Sequence, residues 1–429
     1  MQKLPPSFEK SDIEAWFRTY SNRLHSDPIP FYAYLLEHEP LCYLEEPRVW
    51  VASRYEDVNR ILKDPLFVRE YKNAVPKHQQ QELPPPSKEW KPVNDLLDNW
   101  MLFRDAPTHT RLRRIVSHAF MPQTMERLKP KIRTIAGYLA DRMVEDRQHD
   151  LIASFAFPLP VIVIAELLGV PPEDRELFKN WSHTFARVLE GGDQPAEFAQ
   201  QAKRAAEDIS DYFRCLIAER KSTPREDLIS ELVTAQVQAD ALTEQELIAT
   251  CVLMLVAGHE TTVNLIGNSV FVLLNHPEQL ARLIECPELI TSAVEEVLRF
   301  ESPVRSTTRI ASVDYEIGGQ TIRQGQTVSV MLGAANRDPA QFEQPNLFDI
   351  GRLPNRHLAF ASGSHFCLGA PLARMEGEIA LAVLLERFPQ LRLADNKPNW
   401  RPNILFRGLE SMSLKKSRQS DGSDTIQLF

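Results

Sequence analysis

The stretch His357–Arg374, HLAFASGSHFCLGAPLAR, sets Cys367, one of five cysteines in a 429-residue chain, between a loop rich in Phe, His and Gly and the start of a helical pattern. Backbone N–H groups at a helix N-terminus favour a thiolate over a thiol. A sulfur in that position serves as a ligand or a nucleophile. Gly363 and Gly369 permit a tight loop and the close approach of a flat partner, and Phe360 offers an apolar cover over the sulfur. A nucleophile wants a general base within reach, and His365 stands two residues away, so this stretch alone leaves a Cys-His hydrolase open.

The other cysteines, Cys42, Cys215, Cys251 and Cys286, are widely spread and form no CxxC pair, which argues against a disulfide framework or a zinc ribbon. A composition 43% hydrophobic and 25% charged suits a globular protein with a sizeable core. The formal charge of −9 argues against non-specific nucleic-acid binding, which needs Lys and Arg to displace counterions. The first twenty residues hold no apolar signal core, and Glu9, Asp12 and Glu14 fit poorly with a transit peptide, so a cytoplasmic location is expected.

Apolar residues recur at helical spacing from His109 to about Ile284, with Pro122, Pro171-Pro172 and Pro277 where helices begin and Gly191-Gly192 parting two of them. Short alternating runs appear at residues 41–53 and again after Pro303, around Gly318-Gly319, and read as strands. Helix is expected once more from Leu368 to Phe388. Between Tyr71 and Trp100 the chain is rich in Gln, Pro and Lys, which predicts a long surface loop. The reading is a mainly α protein with small β-sheets: one domain over residues 1–414, with a polar tail over 415–429.

One helix stands out. Thr243–Glu246 matches a capping box, and the pattern then runs to Asn275, roughly 48 Å at 1.5 Å per residue. Its middle, VLMLVAGHETTVNLIGNSV, is too interrupted by polar residues for a membrane span and predicts a core helix. Ala257, Glu260 and Thr261 share a face there, and the Thr261 hydroxyl can reach the carbonyl of Ala257. A buried Glu260 is expensive unless compensated. His259-Glu260 does not begin an HExxH zinc site, because position 263 is valine.

FASGSHFCLG, Phe360–Gly369, resembles the cysteine loop of the cytochrome P450 superfamily of haem-thiolate monooxygenases, F-G-x-G-x-H-x-C-x-G, with Ala361 in place of the second glycine. AGHETT, Ala257–Thr262, is similar to the oxygen-activation segment of that family's long central helix. EEVLR supplies Glu296 and Arg299, and FDIGR supplies Arg352, which the resemblance makes a third member of their ion pair. HTRLRR and RIASVDYEIGG match segments that supply haem-propionate partners, giving His109, Arg113 and Arg309, with His365 from the cysteine loop and His357 as a further candidate. The overall run of segments is similar to bacterial enzymes of the macrolide-hydroxylase and biotin-pathway group.

The resemblance implies the P450 fold, with the long helix over a haem b whose iron Cys367 ligates, and Glu260 and Thr261 managing protons for dioxygen. It implies a lipophilic substrate of fatty-acid, terpenoid, steroid or macrolide type, held near Val256, Ala257, Val304 and Leu405, with Arg305 able to meet a carboxylate. Electrons would come from a separate ferredoxin or flavodoxin with its reductase, docking near basic residues such as Arg111 and Arg114. The rival readings are a peroxygenase or isomerase on the same cofactor, or a haem-binding sensor.

Overall fold

Thr243 and Glu246 close the reciprocal cap that their spacing predicts: the threonine Oγ1 accepts from the Glu246 N–H at 3.1 Å, and Glu246 Oε2 accepts from the Thr243 N–H at 2.9 Å. From this cap the central helix runs Glu244–Asn275 without a break. The computed structural model describes residues 10–18, 26–79, 87–145, 150–190, 195–235, 242–394, 398–401 and 403–416. Among them the central helix alone is long and apolar enough to cross a membrane, but 83% of its apolar window is buried inside the fold, the condition of a core helix.

The helices that position the site are α1 (Thr108–Val116), α2 (Pro122–Glu145), α3 (Pro158–Leu168), α4 (Arg175–Glu190), α5 (the central helix), α6 (Ile290–Phe300) and α7 (Ala370–Arg387). α5 packs against α3, α4 and α7, and α7 packs in turn on α2 and α6. Apolar side chains from all of these, mostly Leu and Val but Phe178, Trp181 and Phe185 from α4, form the main core cluster. Each such side chain fully buried contributes about 1.5–3 kcal/mol. Pro122 and Pro277 are first residues of helices, and Pro172 opens a short 3-10 turn.

A five-stranded sheet lies beside the helical mass in the order β1 (Leu41–Leu44), β2 (Val49–Ala52), β7 (Thr327–Val330), β4 (Thr307–Ala311), β3 (Phe67–Val68). Only β2 and β7 pair in parallel. The hairpin β5 (Tyr315–Ile317) to β6 (Gln320–Ile322) turns at Gly318-Gly319 as expected. Two further pairs, β8 (Leu391–Leu393) with β11 (Leu414–Lys416) and β9 (Asn399–Trp400) with β10 (Leu409–Ser411), close the C-terminal part.

Three expectations are corrected or fall outside the description. The segment 71–100 is not one long loop: Tyr71–Ala74 and Lys91–Leu97 are helical, the second with a proline in its first turn and Val93 and Leu96 buried. Lys415 does not begin a tail, because Lys415 and Lys416 pair with Arg392 and Leu391, so the ordered chain continues past 414. Gly191-Gly192 and residues 417–429 lie outside the described residues.

Candidate active site

From Glu246 to Val270 every residue of α5 is buried except Ala257, Gly258 and Thr261. Over that stretch the helix is covered everywhere but at one small-residue patch in its middle. Thr261 Oγ1 donates to the Ala257 carbonyl at 2.8 Å, as its spacing predicts. Glu260 leaves this face. It is 2% exposed, and its Oε2 accepts from Arg401 Nη1 at 2.7 Å. The acid and the alcohol are therefore chain neighbours with separate partners.

The cysteine loop has its own geometry. Cys367 N donates to Phe360 O at 2.9 Å, and Phe366 N donates to Gly363 O at 3.1 Å, so the loop folds back on itself. Gly363 has φ +73°, and a Cβ there would come within 2.4 Å of the Leu62 carbonyl. Ala361, the residue that departs from the family pattern, also takes a left-handed φ of 57°. Cys367 is exposed, although surrounding protein pushes its thiol pKa up. The N–H groups of Gly369 and Ala370, at the start of α7, pull it the other way, as do Arg113 and Arg374.

His109, Arg113, Arg309 and His365 come from α1, β4 and the loop into one cluster. The rings of His109 and His365 are 4.1 Å apart. His109 and Arg309 are 4% and 3% exposed. Burial, then repulsion from His109, Arg309, Arg69 and Arg113, drives His365 down to about 2. Burial, then Arg69, brings Arg309 to about 9. Arg69 is a member that sequence reasoning missed. Its Nη1 and that of Arg309 both donate to the Thr308 carbonyl, at 2.6 and 2.8 Å. Asp105 is the one acid acting on both arginines, and its carboxylate already accepts from the N–H groups of Arg69 and Glu70. Such a crowd of donors calls for a dianionic group.

Glu296 and Arg299 form the buried pair that their spacing predicts, bidentate at 2.7 and 2.8 Å with both side chains at 0% exposure. Arg352 joins at 3.2 Å, and Asn355 and the Asp349 N–H complete the carboxylate. Other expectations change. His357 is not in the cation cluster but pairs with Glu295 at 3.1 Å. Arg305 is buried over Trp16 and donates to Asn403 O. Arg111 is paired with Glu246. Val256 is buried in the main core, not on the open face. Val304 bridges to Phe406 and Arg305 N donates to Leu405 O, so the two backbone segments that carry Val304 and Leu405 lie side by side.

A reachable thiol under helix N–H groups, an open small-residue patch on the central helix and an under-compensated cation cluster suit a flat iron-bearing dianion: the chain is built as a haem-thiolate protein. The comparisons agree. The cytochrome P450 family profile matches residues 176–285 and 288–407. The chain is 43% identical over 397 residues to the biotin biosynthesis cytochrome P450 of Bacillus subtilis (strain 168), covering 92% of this chain and 97% of that one. It is 40% identical over 411 residues to the polyketide biosynthesis cytochrome P450 PksS of the same organism, covering 94% and 99%. The crystal structure of P450BioI in complex with hexadec-9Z-enoic acid ligated acyl carrier protein superposes with a TM-score of 0.84 at 41% identity, covering 92% and 99%. The chain belongs to the cytochrome P450 family. It is a haem-thiolate monooxygenase whose cofactor is haem b.

Proposed function

We propose that this enzyme hydroxylates a lipophilic small molecule, a long acyl chain foremost, with Cys367 as the iron ligand and electrons from a separate ferredoxin or flavodoxin with its reductase, in the cytoplasm. The observation that carries the reading is the one break in the burial of α5, at Ala257, Gly258 and Thr261, together with the exposed thiol of Cys367. The acyl preference draws on the relative bound to an acyl-loaded carrier protein.

Haem, when bound, supplies dioxygen activation and the oxidation of an unactivated C–H bond. The protein's part is binding, orientation and proton supply. His109, Arg113, Arg309 and His365 would hold the propionates by charge-assisted hydrogen bonds. Gly369 and Ala370 N–H groups hold charge on the sulfur. Thr261 spends its own proton on Ala257 O, so its oxygen stays an acceptor until that bond opens. Glu260 keeps one oxygen on Arg401 while its Oε1, buried, has no hydrogen-bond partner among the described residues and is the atom available to take up a proton. Val304 and Leu405 would bound the apolar part of the substrate. The presence of both an acid and an alcohol supports the dioxygen route over peroxide-driven chemistry.

The test is the absorption difference spectrum of the reduced, haem-loaded protein with and without carbon monoxide. A strongly red-shifted Soret band, lost in Cys367→Ala, is expected. Haem binding with no such shift removes Cys367 as ligand, and absence of haem removes the reading altogether.

A further inference from the structure

Arg69 stands beside Arg309 across a strand pair. β3 and β4 run antiparallel, with Phe67 opposite Ala311 and Val68 opposite Ile310. Arg69 is the residue after Val68 and Arg309 the one before Ile310, so the next rung sets the two arginines against each other. Like charges at opposed positions destabilise a sheet. Here they also converge: Nη1 of each donates to the Thr308 carbonyl, at 2.6 and 2.8 Å, leaving one oxygen between two cations. Among the described residues every hydrogen bond of either guanidinium ends on a carbonyl or hydroxyl oxygen, none on a carboxylate.

A clasp of two acids keeps Arg69 in this unfavourable place. Its backbone N–H donates to Asp105 Oδ1 at 2.8 Å, and its Nε donates to Leu102 O at 3.1 Å. Asp105 Oδ2 accepts from the Glu70 N–H and from Asn73 Nδ2, both at 2.9 Å, and Glu70 Oε2 accepts in return from the Asp105 N–H at 2.9 Å. Glu70 Oε1 meets two other cations, Lys72 at 2.7 Å and Arg104 at 2.8 Å. Asp105 also offers its carbonyl to the His109 N–H at 2.8 Å, in the first turn of α1. One residue therefore fixes both Arg69 and the start of the helix that carries His109 and Arg113. A guanidinium has five N–H donors. Nε and Nη1 account for three of those on Arg69, and Nη2 has no partner among the described residues.

We propose that Arg69 joins Arg309 on one haem propionate through Nη2, and that Asp105 is the positioning residue that sets Arg69 and His109 in register for the cofactor. A carboxylate placed between two guanidiniums turns their repulsion into two charge-assisted contacts. A residue serving only to tie Leu102 to Thr308 has no need of a charge. The inference rests on the propionate clamp proposed above and adds Arg69 to its donors.

The experiment follows haem transfer to apomyoglobin and the iron reduction potential in the haem-loaded full chain and in its Arg69→Gln, Arg69→Lys, Asp105→Asn and Arg309→Gln variants. Arg69→Gln removes one charge-assisted donor and should speed transfer by roughly 10- to 100-fold. Its potential should fall, because a propionate charge is left unmatched. Arg69→Lys, which keeps the charge but loses the fork that reaches Leu102 and Thr308, should restore most of the potential. Asp105→Asn should also speed transfer, although it takes a negative charge out of the cluster, because the register is lost. Parental transfer and potential in Arg69→Gln overturn the proposal, and so does a loss that Arg69→Lys leaves unrepaired, the mark of a structural tie. Slower transfer in Asp105→Asn overturns the positioning role and makes Asp105 a counter-charge. If Arg309→Gln matches the parent as well, the clamp itself falls; if Arg309→Gln alone loses haem, the clamp stands without Arg69.

Discussion

The imidazole rings of His109 and His365 lie 4.1 Å apart at an interplanar angle of 36°, inside a group of three arginines. Nothing in a protein on its own gains from such an arrangement. It becomes favourable when two carboxylates arrive. Each charge-assisted hydrogen bond to such a group contributes about 1.5–3 kcal/mol. Arg309→Gln should therefore weaken haem retention about 10- to 100-fold, read as the rate and extent of haem transfer to apomyoglobin. Unchanged transfer would remove Arg309 from the clamp.

Ala361 occupies a left-handed backbone position, φ 57°, which costs an L-residue with a Cβ about 1–2 kcal/mol. Glycine removes that cost but loses more freedom on folding, about 0.4–1 kcal/mol. Ala361→Gly should stabilise the protein by about 0.5–1 kcal/mol, seen as a raised urea midpoint at constant m-value. Destabilisation would mean that the alanine methyl, packed at the edge of the second core cluster, outweighs the strain.

Arg299 gives hydrogen bonds to Glu296 and to three carbonyls, of Asn336, Pro345 and Leu347. Removing one side of a buried pair leaves the other charged and unpaired, at a cost of about 3–5 kcal/mol. Glu296→Ala should accordingly lose most of its folded, haem-loaded yield, measured by the ratio of Soret to protein absorbance and by urea unfolding. A variant with parental stability would show the pair to be dispensable.

Glu376, on α7, is 1% exposed, and burial raises its pKa well above the ordinary carboxylate value of 4.5. Its Oε2 has no partner among the described residues. The folded state therefore holds a proton that the unfolded chain releases. The stability tied to this group is fully present below about pH 4.5 and is lost as the pH rises toward the folded value. Glu376→Gln should remove that loss, so that its advantage over the parent grows between pH 5 and 8 in urea titrations. A constant difference across that range would count against a buried neutral acid.

The parts of this enzyme legible in its sequence are those written at short spacing. Thr243 with Glu246, Glu296 with Arg299 and Thr261 with Ala257 are partners three or four residues apart, and all three interactions are present. Cys367 was legible because a loop and a helix start surround it. Arg352 and the propionate cations needed the family resemblance, since each alone looks like a surface charge. What escaped was joined through space. Glu260 demanded a cation, yet Arg401 is 141 residues away. Arg69 hides in a stretch with no motif. The helix Lys91–Leu97 was missed differently, because proline and glutamine dominated its neighbourhood although Pro92, Val93 and Leu96 carry the signal.

Arg401 and the residues 403–406 join two tasks within a few positions. In the function proposed above Leu405 would border the space for substrate, while Arg401 holds Glu260. A mutation selected for a new substrate at Leu405 therefore moves the ground under the acid as well. Relatives that diverge here should trade breadth of substrate against wasted reducing power, and directed evolution at this turn should be scored on both at once.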